Sequence, residues 1–118
     1  MNTSPSQQPA FGVLTVAVFG ASGDVGRRLV AEGARRGHRL TAVSRREPEA
    51  HASSVTSLIC DVENDEGLAS VVESHDVIIT ALRPRDGEEP KLVDLTARVV
   101  GAALATGTRF IVVGGAAA

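Results

Sequence analysis

Along this chain, short β-branched apolar runs alternate with stretches whose apolar residues recur every three or four positions. The run Val13-Leu-Thr-Val-Ala-Val-Phe19 is brief, rich in valine and ends at a glycine, which predicts a strand. From Asp24 to Arg36, Val25, Leu29, Val30 and Ala34 recur at helical spacing and Gly37 follows as a stop. Arg39 to Val43 predicts a second strand, leading into the polar Ser44-Arg45-Arg46. Glu47 to Ser54 contains Pro48 and has no strong period, which predicts a loop or a short irregular helix. Val55 to Cys60 predicts a third strand. Asn64 to Glu73 predicts a second helix, with Leu68, Val71 and Val72 on one face and Asn64 as its cap. Asp76 to Leu82 is a nearly continuous apolar run, the signature of a strand buried on both faces. The polar stretch Arg83 to Pro90 predicts a surface loop. Lys91 to Thr106, with Leu92, Leu95, Val99, Ala102 and Ala103 in register, predicts a third helix ended by Gly107. Arg109 to Val113 is the fifth strand.

Strands separated by helices cannot pair as hairpins; they need crossovers, which are right-handed. The expected fold is therefore α/β: a doubly wound parallel sheet with strand order 3-2-1-4-5. Composition agrees with it. The chain has 118 residues, 43% of them hydrophobic, but three Phe and no Tyr or Trp, so the core must be aliphatic. That length suits one domain. Residues 12–118 are its expected extent, and residues 1–11, rich in Ser, Gln and Pro, read as a disordered leader. A net charge of −2 gives no general argument for nucleic acid, although Arg35, Arg36, Arg39, Arg45 and Arg46 form a local cluster. No apolar run approaches a membrane span, and a single cysteine, Cys60, fits a reducing cytoplasmic setting.

The chemistry sits where the first strand meets the first helix, in Gly20-Ala21-Ser22-Gly23-Asp24-Val25-Gly26. A diphosphate needs backbone N–H donors and the positive end of a helix, with no side chains in the way. Gly20 permits the tight turn, Gly23 admits the phosphates to the backbone, Gly26 lets the helix pack closely, and Ser22 adds a hydroxyl. A turn that uses glycines only for its geometry would read similarly, so the strand-to-helix context matters as much as the glycines. At the end of the second strand, where an NAD site usually has an acidic residue, stand Ser44, Arg45 and Arg46. A 2′-phosphate wants a guanidinium fork and a hydroxyl there. The other reading is that both arginines are solvated and pair with Glu47 and Glu49.

The G-x-x-G-x-x-G spacing within Val-Phe-Gly-Ala-Ser-Gly-Asp-Val-Gly resembles the atypical short-chain dehydrogenase/reductases, and within them the NAD(P)H-binding, NmrA-like and flavin-reductase-like proteins. The resemblance runs from about Val13 to Gly115 and implies a Rossmann domain that holds NADP, with NAD possible. It implies that Arg45 faces the 2′-phosphate, that Asp61 and Val62 border the adenine, and that Ala81, Leu82 and Arg83 pass the nicotinamide-side ribose. On residue type alone, Asp61 reads as a turn cap and Arg83 as an exposed loop arginine.

Hydride-transferring members of the wider superfamily use a Tyr with a Lys four residues on. This chain has no Tyr, and its one Lys is Lys91, so no catalytic residue is assigned. His38, His51 and His75 read as surface residues, with no metal-ligand arrangement around them. Cys60 reads as a small core residue. Resembling proteins continue beyond the fifth strand, so the chain is expected to be truncated there, without a substrate-binding portion, or to have that hydrophobic edge covered by another subunit. The expected function is the cofactor domain of an NADP(H)-dependent oxidoreductase or epimerase acting on an unidentified small molecule. The alternative is an NmrA-like module that senses NADP(H) without chemistry. S-adenosylmethionine ranks last, because Ser44-Arg45 replaces the acid such a site wants, and the absent Lys-Ser/Thr excludes a nucleoside-triphosphate loop.

Overall fold

The computed structural model describes residues 12–45, 54–83 and 89–113. The expected leader, Arg46 with the following loop, and Gly114 to Ala118 lie outside the described residues. Five strands, β1 (Thr15–Phe19), β2 (Arg39–Ser44), β3 (Val55–Ile59), β4 (Val77–Thr80) and β5 (Arg109–Val112), form one sheet in the order β3-β2-β1-β4-β5. All four pairings are parallel. The helices are α1 (Asp24–Arg35), α2 (Asp65–Glu73) and α3 (Glu89–Thr106). This is the doubly wound Rossmann-type topology that the alternation of elements predicts.

Because side chains alternate along a strand, β1 feeds both faces. Val16 and Val18 pack with Val30 of α1, Leu40, Ala42 and Val77 on one side. Ala17 and Phe19 pack with Leu68, Val71 and Val72 of α2, Ile78, and Val99 and Ala103 of α3 on the other. Helix α1 lies close to β2 because Gly33 has no side chain: a Cβ there would stand 2.8 Å from the Leu40 side chain. Val25, though in helical register with Leu29 and Val30, is 40% exposed; it lies in the first turn, beyond the part of α1 that covers the sheet.

Several boundaries differ from the sequence reading, each for a tertiary reason. Strand β1 starts at Thr15, where pairing to Arg39 begins, and Val13 is exposed. Strand β4 is shorter at both ends. Asp76 precedes it, with its carboxylate accepting from the Thr15 N–H (2.9 Å) and Oγ1 (3.0 Å) while its own N–H reaches the Thr15 carbonyl at 2.9 Å. Beyond Thr80, Ala81 still donates to the Phe19 carbonyl at 2.8 Å, but the chain then leaves the sheet. Helix α3 begins two residues earlier than expected, with Pro90 in its first turn, where a missing N–H costs nothing. Asn64 caps α2 as expected, accepting from the Gly67 N–H at 3.2 Å.

The histidine reading needs correction. His38 and His75 are half-buried: His38 Nδ1 accepts from the Leu14 N–H (3.2 Å), and His75 bridges the Val71 carbonyl (2.7 Å) and Thr41 Oγ1 (2.8 Å). Each ties strand or helix ends together, a role invisible in local sequence. His51 lies outside the described residues.

The hydrogen bonds from Thr15 hold the Asp76 carboxyl below the usual carboxylate range, the backbone N–H contributing most. A depressed folded-state pKa contributes stability above the unfolded pKa and loses it as pH falls through the folded one. Asp76→Asn is therefore expected to lower the melting temperature at neutral pH, with the gap to wild type closing in acid. Thermal melts of both proteins from pH 7 downward check this; a gap constant with pH would contradict it.

Candidate functional site

The C-terminal ends of β1, β2 and β4 open into a cleft of about 820 Å³, its solvent-facing mouth included. It is lined by Phe19, Gly20, Ser22, Gly23, Val43, Ser44, Arg45, Cys60, Val62, Ala81, Leu82, Arg83, Lys91, Leu92 and Leu95. Ligands of open α/β sheets bind at this edge, where the connections from the central strands diverge to opposite faces.

Glycines build the floor. Gly20 has φ +80°, a left-handed conformation that favours glycine, and a Cβ on it would lie 2.5 Å from the Ala81 carbonyl oxygen. A Cβ on Gly26 would collide with the Gly20 carbonyl oxygen itself. Gly23 differs: its Cβ would stand 3.3 Å from Cδ of the Arg83 stem and at ordinary contact distance, 3.6 Å, from the Gly20 carbonyl oxygen. Gly20 and Gly26 thus hold the loop's shape, whereas Gly23 leaves room for the flexible Arg83 stem that crosses the loop.

Helix α1 starts from this loop with Gly23 as N-cap and no side chain capping its first turn. The contrast with α2, capped by Asn64, is chemical: the first-turn N–H groups of α1 carry the positive end of the helix dipole toward the cleft. Among the described lining residues are three cations, Arg45, Arg83 and Lys91, and no carboxylate. Lys91 stands 3.7 Å from Glu63. Arg45 and Arg83 have no ion-pair partner among the described residues. Arg35 and Arg36 belong elsewhere: both bind Glu32, at 2.6 and 2.7 Å, at the far end of α1, and hold its carboxyl at about 2. The arginine cluster in the sequence therefore divides, and only Arg45, of its described members, reaches the cleft.

Of the residues singled out in the sequence, Gly20, Ser22, Gly23, Ser44, Arg45, Val62, Ala81, Leu82 and Arg83 come together in the cleft wall. Ala21 and Gly26 are buried beneath the loop; the Ala21 N–H donates to the Val43 carbonyl at 3.3 Å. Asp24 and Val25 are exposed in the first turn of α1. Asp61 stands outside the lining, its Oδ1 accepting from the Glu63 N–H at 2.9 Å, so it is a turn cap as its residue type suggests. Arg46 is outside the described residues. Sequence reasoning missed Phe19, Val43, Cys60, Lys91, Leu92 and Leu95. The apolar members looked like core, and nothing local connects Lys91 to the glycine loop. Burial, and then the Asp61 charge, push the Cys60 thiol up, which keeps it protonated as a wall atom rather than a nucleophile.

A bare glycine cradle, an uncapped helix start and a cation-lined cleft suit a diphosphate flanked by apolar surface, and they define a dinucleotide-binding α/β domain. The model of the NAD(P)H-binding family matches residues 20–118, and the chain belongs to that family. A candidate exported protein from Burkholderia pseudomallei is 36% identical, with a TM-score of 0.75 over 88% of this chain and 49% of that one. A candidate epimerase from Bacteroides thetaiotaomicron is 28% identical (TM-score 0.72, 88% and 48% covered). A candidate NADH-flavin reductase from Streptococcus pneumoniae is also 28% identical (TM-score 0.67, 87% and 48% covered). The chain spans about half the length of these proteins, and from 12% to 48% of the uncharacterised Mycobacterium and Bacillus relatives that it matches at 30–31% identity. No helix among the described residues is long and apolar enough to cross a membrane.

The glycines make separable predictions. Gly20→Ala adds the left-handed penalty of ~1–2 kcal/mol to a backbone collision, and Gly26→Ala forces the loop off α1, so both lower the melting temperature. Gly23→Ala displaces a flexible exposed stem and puts a poorer residue at the N-cap of α1, so it lowers the melting temperature less than the other two. It places a methyl where a dinucleotide must approach, at ~1–3 kcal/mol or roughly a 5- to 150-fold loss of NADPH affinity. Melting curves and NADPH titrations of the three variants check the division.

Proposed function

We propose that the chain is the cofactor-holding part of an NADP(H)-dependent oxidoreductase or epimerase, with Arg45 and Ser44 receiving the 2′-phosphate. The observation that carries this reading is Arg45 itself. It directly follows β2 beside the cleft, exposed and without an ion-pair partner among the described residues, where an acidic residue would mark a ribose diol instead. A guanidinium offers a phosphate two parallel donors, and the Ser44 hydroxyl adds a third group beside it.

In this reading the first-turn N–H groups of α1, with Ser22, take the diphosphate. Val62 borders the adenine beside Leu92 and Leu95, and Asp61 keeps its second carboxylate oxygen for the amino group, its first being engaged by Glu63. Ala81 and Leu82, pinned against Gly20, run beneath the nicotinamide-side ribose. The bound nicotinamide supplies hydride transfer. This chain's own residues bind and orient it, and the apolar wall of Phe19, Val43, Cys60 and Leu95 excludes water from one side. The oxidoreductase or epimerase assignment follows the similarity to the Bacteroides and Streptococcus proteins. The additional length of those proteins is the proposed source of the substrate pocket and proton donor.

Calorimetric titration of the chain with NADPH and NADH tests the assignment. A hydrogen-bonded ion pair contributes ~1.5–3 kcal/mol, so NADPH is expected to bind roughly 10- to 150-fold more tightly than NADH. Arg45→Ala should bring the two to parity. Equal binding by the wild-type chain would make Arg45 a surface residue, and no binding of either would reject the reading.

A further inference from the structure

We infer that Arg83 is the outer jaw of a diphosphate clamp, closing from the β4 side on a group that the first turn of α1 holds from the other. The inference rests on the dinucleotide reading above and deepens it.

Three observations converge on this residue. First, its mount is anchored: the Ala81 N–H donates to the Phe19 carbonyl at 2.8 Å, and the Ala81–Leu82 backbone lies so close to Gly20 that no Cβ fits between them. Arg83 is the first side chain beyond that anchor, so its position relative to the glycine loop is fixed while its rotamers stay free. Second, the stem already lies across the loop: the point a Gly23 Cβ would occupy is 3.3 Å from Arg83 Cδ and 3.9 Å from Cγ. The guanidinium is thereby carried over the side of the loop that an approaching diphosphate must cross. Third, the guanidinium is unpaired among the described residues, and no described carboxylate lines the cleft to compete for it. Lys91, the other cation on that wall, faces Glu63 at 3.7 Å.

Arginine suits the task better than lysine. Its planar fork can bridge oxygens on both phosphoryl groups while the backbone N–H donors of α1 take others, whereas an ammonium acts as a point charge. Exposure of the side chain means that the ligand brings the desolvation and the protein maintains no buried charge beforehand. Arg83 therefore reads the diphosphate, common to NADPH, NADH and ADP-ribose, and Arg45 reads the 2′-phosphate, present only in NADPH. The two cations are independent selectors at separate points along one ligand.

The test titrates the whole chain with NADPH, NADH and ADP-ribose, for wild type, Arg83→Met and Arg45→Ala. Methionine keeps an unbranched stem over Gly23 and removes the fork, and unchanged melting temperatures confirm that each variant is folded. The expected result is that Arg83→Met weakens all three ligands by a similar factor, roughly tenfold or more. It should also flatten the dependence of log K on log salt. Arg45→Ala should weaken NADPH alone. Unchanged binding of all three ligands by Arg83→Met would overturn the inference while NADPH binding by the wild type left the dinucleotide reading standing. A loss seen with NADH but not ADP-ribose would also overturn it, placing the guanidinium at the nicotinamide instead. Failure of the wild type to bind any of the three would sink both.

Discussion

At one point the backbone of α1 lies directly on the backbone of the loop that precedes it. Gly26 meets the Gly20 carbonyl, and Gly20 in turn meets Ala81 and Leu82, with no room at either contact for a single carbon. Three elements, β1, α1 and β4, are thus joined through glycine surfaces rather than through side chains. The direction in which α1 leaves the sheet follows from this contact, and so does the aim of its first-turn N–H groups. The place where β4 stops being a strand follows too, because the chain must bend toward Gly20 after Thr80. The cleft is the space left in front of that junction.

Charge is divided along the same axis. At the starts of the strands, polar groups are tied: Asp76 to Thr15 across β4 and β1, His38 to Leu14, and Glu32 to two arginines at the end of α1. At the ends of the strands, Arg45 and Arg83 face the cleft without partners among the described residues. Exposed ion pairs contribute little to stability, so leaving these two cations unpaired costs the fold almost nothing. A polyanion gains most from cations that need not first leave a carboxylate.

The apolar half of the cleft shows where sequence reading stops. Phe19, Val43 and Cys60 belong to the core packed under α2 and α3, and they also line the cleft. They lie at the ends of their strands, so one side of each side chain is packed and the other faces the cavity. A residue's hydrophobicity and spacing are the same in either role. Val25 shows the converse, because its helical register suggests burial that the placement of α1 does not provide.

Local pattern determined the elements, their parallel order and the glycine loop. Each depends on interactions within a few residues: the alternation of a strand, the repeat of a helix, the steric freedom of glycine at a turn. Asn64 and Asp61 were legible as caps for the same reason. Only the tertiary structure decided that Gly20 and Gly26 are packed against backbone while Gly23 meets the flexible stem of Arg83. It alone brought Lys91 across to Glu63, set Arg83 over the loop, and sent Arg35 and Arg36 away from Arg45. Those outcomes depend on where distant segments lie in space, fixed by the packing of helices on both faces of the sheet, and no local spacing encodes that distance.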